Sequence, residues 1–166
     1  MQRFILILSS VFFCALSSAA QVFYSAQEYN DAIIANQEKV VELYRVIGQN
    51  MVDNPPAADS ARQVAIIVVN GIVDFTRRMP DFNGNGEFRD ASVHIFQYYL
   101  DTFRNEYKEI LDIFRASKQP DETQIARLEF IDRQLQIKEQ PLDDAFVRAQ
   151  MKFAFENDLE LMRTKK

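Results

Sequence analysis

The chain has 166 residues, 48% of them hydrophobic, with 19 basic against 24 acidic side chains and a net charge of −5. That length suits one domain around a single core. An acidic chain has no general attraction for phosphates or anionic lipid, which disfavours nucleic-acid and membrane-surface roles.

Residues 1–20 read as a secretory signal peptide. Arg3 precedes an apolar run from Phe4 to Phe13, and small residues follow through Ala20. These are the basic, apolar and cleavage regions of an export signal. The run is about half the ~20 residues a membrane span requires. Cleavage after Ala20 or Ala19 leaves a domain of residues 21–166 starting near Gln21. It takes Arg3 from the 19 basic residues, leaving 18 against 24 acidic and a net charge of −6. It also removes Cys14, the only cysteine. Disulfides, thiolate metal sites and a cysteine nucleophile are then excluded. The alternative is lipidation of Cys14, but Phe13 and Val11 stand where a lipoprotein needs a small residue and Leu. The expected location is therefore periplasmic or secreted, ahead of a surface lipoprotein.

A first helix is expected from Ser25, an N-cap with Glu28 as its capping-box partner. Tyr29, Ile33, Val40, Leu43 and Ile47 form its apolar stripe. It ends around Met51–Asp53, before Asn54-Pro55-Pro56. A second helix is expected from Asp59 or Ser60 to Pro80. Its run Val64–Val69 also fits a buried strand, but the pattern continues through Ile72, Val73, Phe75 and Met79, so a helix buried on most sides is preferred. After the loop 81–86 comes a third helix, roughly Glu87 to Ser117, with an aromatic stripe of Phe88, Phe96, Tyr99, Phe103, Tyr107 and Phe114. The fourth runs from about Glu122 to Met162, with Ile125, Leu128, Ile131, Leu135, Leu142, Phe146, Ala149 and Phe153 in heptad-like phase. The phase survives Pro141, so one kinked helix is preferred over two. The expected fold is all-α, an up-down-up-down four-helix bundle with its fourth helix kinked near Pro141.

The most specific local motif is Asp81 to Ser92. Asp81, Asn83 and Asn85 occupy alternate oxygen-ligand positions of a calcium loop, Gly86 takes its sharp turn, and Glu87 offers a backbone carbonyl. The twelfth position should be a bidentate Glu and is Ser92, so any calcium site is weak, near the millimolar range, unless Asp90 substitutes. The other reading is a helix connection using Asn-Gly for positive φ and an acid to cap the next helix.

His94 is the sole histidine. Two Glu-x-x-His pairs, Cys-x-x-Cys-His and Gly-x-Ser-x-Gly are all absent, leaving it without catalytic partners. The acids Asp143-Asp144 and Glu156, Asp158 and Glu160 would need to converge in one pocket to do acid–base work, and solvated helix faces are preferred. Asn36, Asn70, Gln97 and Gln150 lie on apolar stripes, where amides are expected to pair across the bundle and fix its register rather than line a polar pocket.

Gly86-Glu87-Phe88-Arg89-Asp90-Ala91-Ser92 leading into Phe96-Gln97-Tyr98-Tyr99, and Ala149-Gln150-Met151-Lys152-Phe153-Ala154 followed by Asn157, resemble segments of uncharacterised exported bacterial surface proteins and lipoproteins built of four long helices. That resemblance implies an all-α fold and a cell-envelope location, and supplies no catalytic residues. The functional expectation is a non-enzymatic module that binds a protein or apolar partner. A calcium-responsive module is the first alternative and a carboxylate-based enzyme the second.

Overall fold

The computed structural model describes residues 22–161, so the expected signal peptide with Cys14, and the chain beyond Leu161, lie outside the described residues. Five helical elements occur, α1 Ala26–Asn50, α2 Pro55–Arg77, α3 Glu87–Arg104, α4 Glu106–Ala116 and α5 Glu122–Glu156. Together they make four packed helices, because α3 and α4 are two parts of one bent helix. No strand occurs among the described residues; Phe82 and Asn85 form only an isolated bridge.

Local chemistry sets most of the ends. Ser25 Oγ accepts the Glu28 amide at 3.1 Å. The Glu28 carboxylate reaches back to the Tyr24 amide, one residue ahead of the expected capping-box partner. Helix α2 starts at Pro55, not at Asp59 or Ser60. Asn54 caps it by accepting the Ala57 amide at 3.3 Å. The prolines that stop α1 are also well placed to open α2, since the first helical positions have no use for an N–H. Asp121 and Gln124 form a reciprocal capping box at the head of α5. Its tail ends at Glu156, short of Met162: Asp158 takes a left-handed φ of 54° and the Leu159 amide returns to the Ala154 carbonyl. That pattern closes a helix and directs Leu159 back against the core.

The expected single third helix breaks at Asn105. The Asp101 carbonyl accepts both the Asn105 backbone N–H at 3.0 Å and its side-chain Nδ2 at 2.9 Å. A side chain competing for an i−4 carbonyl bends a helix, and Asn105 adopts φ −110°, ψ −76°. Pro141, by contrast, lies within the continuous run of α5.

One end of the molecule gathers Tyr29 of α1, the Pro80 carbonyl after α2, Phe88 of α3 and Phe153 of α5. Tyr29 is fully buried, stacked on Phe153 at 5.3 Å, and its hydroxyl donates to Pro80. Phe96, Phe103 and Phe146 are also buried. Three expected core positions are not in the core. Val64 and Ile67 of α2 face outward, so that helix is covered on one side only, and Ile125 of α5 is exposed.

Candidate functional site

Phe82-Asn83-Gly84-Asn85 is a tight turn. Asn83 and Gly84 both have positive φ, 51° and 80°, and Phe82 and Asn85 exchange backbone hydrogen bonds at 3.1 and 2.9 Å. Asn-Gly suits this geometry because both central residues must be left-handed. Helix α3 then begins at Glu87, whose amide donates to Asn85 Oδ1 at 2.9 Å. The four proposed calcium ligands lie close in the chain, and the side chain of each has a protein partner. Asp81 Oδ1 accepts from Arg89 Nη1 at 2.5 Å, and the same nitrogen donates to the Met79 carbonyl. Asn83 donates to Asn157, Asn85 to Glu156, and the Glu87 carboxylate pairs with Lys152. Asp90 accepts from Arg89 Nε, and Ser92 is buried with its hydroxyl on the Phe88 carbonyl. The Arg89 guanidinium thus lies between the Asp81 and Asp90 carboxylates. Gly86 leaves room for it: a Cβ there would run into Arg89 Nη2 and approach Asp81 Oδ1 to 2.6 Å.

The remaining sequence candidates are dispersed. His94 is exposed on α3 and makes no hydrogen bond among the described residues. Asp144 accepts from Gln140, and Glu156 faces the 81–86 turn. No group of three or more His, Cys, Asp or Glu side chains that could hold a metal ion occurs among the described residues. Of the four amides, Gln150 does pair across the bundle, donating to Asn30 of α1 at 3.0 Å. Asn70 is exposed and accepts from Arg104 of α3, Gln97 bonds Asp101 on its own helix, and Asn36 is buried.

Two clusters go beyond the sequence reading, the first unforeseen and the second adding Tyr44 to the aromatic stripe of Tyr99, Phe103 and Tyr107. Arg62 of α2 is buried; its Nε donates to Asp59 at 2.8 Å and its Nη1 to the Phe103 carbonyl at 3.0 Å. Arg115 of α4 reaches the same Asp59 at 2.7 Å. Phe103 lies in the last turn of α3, where carbonyls lose their helical partners, so the arginine satisfies a group exposed by the bend. Burial would raise the Asp59 carboxyl, but hydrogen bonds from Arg115, Arg62 and Gln63 outweigh it and hold it below the usual carboxylate value. Charged residues three apart on a helix rarely announce burial, so the spacing carried no signal. The second cluster is Tyr44, Tyr99 and Tyr107 around Phe103, with ring centroids 4.4 to 5.5 Å apart. Tyr99 donates to Glu139 of α5 at 2.9 Å, and neighbouring Tyr98 donates to the Leu135 carbonyl. Burial raises the Tyr44, Tyr99 and Tyr107 hydroxyls, the last to about 12.

The outer face of α5 is different. At 100° per residue, Phe130, Ile137, Val147, Met151 and Phe155 point away from the buried stripe of Ile131, Phe146, Ala149 and Phe153. Ile137 is 65%, Met151 60% and Phe155 86% exposed. A cleft of about 610 Å³ borders this face, between α4 and α5, lined by Asn105, Glu109, Arg127, Phe130 and Lys138. Arg127 closes part of it, pairing with Glu109 at 2.6 Å and lying 5.2 Å from the Phe130 ring centre. The apolar residues at 130, 137, 147, 151 and 155 were visible in the sequence, but they fall outside the heptad-like phase that places the buried ones. No helix among the described residues is long and apolar enough to cross a membrane. Comparison of the chain with protein families, characterised proteins and solved structures gives no match.

Proposed function

We propose that this chain is an exported, non-enzymatic helical-bundle protein of the bacterial cell envelope that acts by binding, with the outer face of α5 as its contact surface. The observation that carries this reading is the run of exposed apolar side chains from Phe130 to Phe155 on the side of α5 opposite its core contacts. Five large apolar residues on one solvent-facing helix exceed the scattered single exposures normal for a protein surface. They span about 37 Å at 1.5 Å per residue. The titratable clusters support a binding role in that their charges serve ion pairs, caps and carbonyls inside the bundle. The export element rests on the pattern of residues 1–20. An up-down-up-down order is supported by the ends that meet around Tyr29, and a kink in α5 by Pro141, which cannot donate to the Ile137 carbonyl and crowds it.

The test compares the wild-type protein with a Met151→Lys/Phe155→Asp variant in capture from envelope extract. Loss of the captured species with an unchanged melting temperature is the expected outcome. Equal capture by both would remove the face from the reading. The mass of protein recovered from the envelope tests export: a chain starting near Gln21 is expected, whereas an acylated Cys14 would make it a lipoprotein.

A further inference from the structure

We infer that the outer face of α5 pairs with the same face of a second copy of this chain, the two helices running antiparallel; this rests on the binding role proposed for that face. Four charged residues interrupt the apolar strip, Glu129, Arg133, Asp144 and Arg148, and all four are exposed. Asp144 accepts only from Gln140 on its own helix, and the other three make no hydrogen bond or ion pair among the described residues. The strip is therefore neutral within a chain of net charge −5, so two copies meet there with least repulsion.

The order of these charges selects the arrangement. A parallel symmetric pair would set each charge against itself. An antiparallel pair centred at the level of Lys138 and Glu139 sets Arg133 of each copy opposite Asp144 of the other, twice by symmetry. Both residues lie near the middle of the outer face on a helical projection, where contact is closest. The same register places Ala126 opposite Met151 and seats Phe130 beside the Arg148 stem. Gln140 then stands opposite Ile137 of the other copy, whose carbonyl Pro141 leaves without a helical partner. Sliding the helices to oppose Phe130 with Met151 would bring Arg133 against Arg148, so the charges oppose that slip. A charged, polar centre also argues against a lipid surface as the occupant, since an interfacial helix keeps its buried face apolar.

A single helix-on-helix contact of this length sits at the small end of stable interfaces, so dissociation in the region of about 10 μM is expected. Sedimentation velocity of the full chain from about 1 to about 100 μM should show a monomer–dimer equilibrium. Arg133→Asp alone and Asp144→Arg alone should each weaken it at least about tenfold, since like charges then face each other twice. Mixing the two single variants should restore a heterodimer, because every facing pair is again opposite in charge. The double variant should restore the homodimer. All four positions are exposed, so folding is not at stake, and circular dichroism of each variant verifies it. A wild-type monomer throughout the series overturns the inference, as do single variants that dimerise like wild type or a mixture that fails to recover. A monomer that still shows capture dependent on Met151 and Phe155 overturns the second copy as occupant and leaves the binding role standing. Loss of both removes the two together.

Discussion

Arg62 is the charged side chain with most to lose on substitution. It is buried, it bridges Asp59 to the Phe103 carbonyl, and water cannot replace it at either partner without entering the α2–α3–α4 junction. Arg62→Ala should therefore cost about 2 kcal/mol or more. Arg62→Lys should recover only part of that, because an ammonium cannot reproduce the two-pronged contact. Chemical denaturation of the three proteins measures both. The turn at 81–86 makes the opposite kind of prediction. A calcium ion there has to displace Arg89 from Asp81 and draw Asn85 Oδ1 away from the Glu87 amide. Melting midpoints in millimolar calcium and in chelator are expected to coincide, since only a ligand that prefers the native state raises its stability. A higher midpoint with calcium would mean that the guanidinium yields its place. Half of the calcium pattern was legible because Asp81, Asn83 and Asn85 do have the right spacing. The arginine eight residues after Asp81, whose guanidinium pairs with that carboxylate, has no assigned place in the motif.

The helical elements were legible where periodicity and caps act together, as at Ser25 and Asp121. They were misplaced where one residue type has two roles. Asn54-Pro55-Pro56 reads as a stop because proline cannot continue a helix, yet the same prolines suit the first turn of the next. Asn54→Ala should cost about 1 kcal/mol by removing the cap at the Ala57 amide, seen as a fall of about 4 °C in melting temperature. Asn105 misled for another reason: an asparagine on an exposed helix face ordinarily points to water, and only the fold shows its side chain turned to the Asp101 carbonyl. The bend it marks is what brings Phe103's carbonyl within reach of Arg62. In α5, apolar residues spread to two faces, and no helical period can say which face the rest of the chain will cover.

At the scale of the whole molecule, stability should have two pH limits. Asp59 has a folded value below its unfolded one near 3.9, so its contribution is present above that pH and is lost as pH falls through the folded value. At the alkaline end the buried tyrosines act in the opposite sense. Burial pushes Tyr29 up to about 12, with Arg89 working against the rise, and also raises Tyr44, Tyr99 and Tyr107. Their contribution is complete below the unfolded value of about 10 and is lost as pH rises through the folded values. Denaturant midpoints between about pH 3 and about pH 12 should therefore fall at both ends. The alkaline loss should be smaller in a Tyr29→Phe variant, compared with its own value at neutral pH.

Helix α5 is held unevenly along its length. From Leu142 onward it contributes Phe146, Ala149 and Phe153 to the common core; the 81–86 turn fastens its end through Asn157 and Glu156, and Glu87 of α3 through Lys152. From Glu122 to Gln140 its one fully buried residue is Ile131, which lies outside that core, and its ties to α4 are the exposed pairs Arg127–Glu109 and Lys138–Glu106. Exposed ion pairs contribute little, roughly 0 to 1 kcal/mol each. The first part of α5 is thus a cantilever: held to α3 by the Tyr98–Leu135 and Tyr99–Glu139 hydrogen bonds and anchored beyond Pro141, it can lift from α4 between Glu122 and Gln134 without disturbing the Phe96–Phe146 core. Amide exchange should show residues 122–134 opening as a unit at a free energy well below that of α2 and α3. Raising salt, which screens the two pairs, should widen that gap.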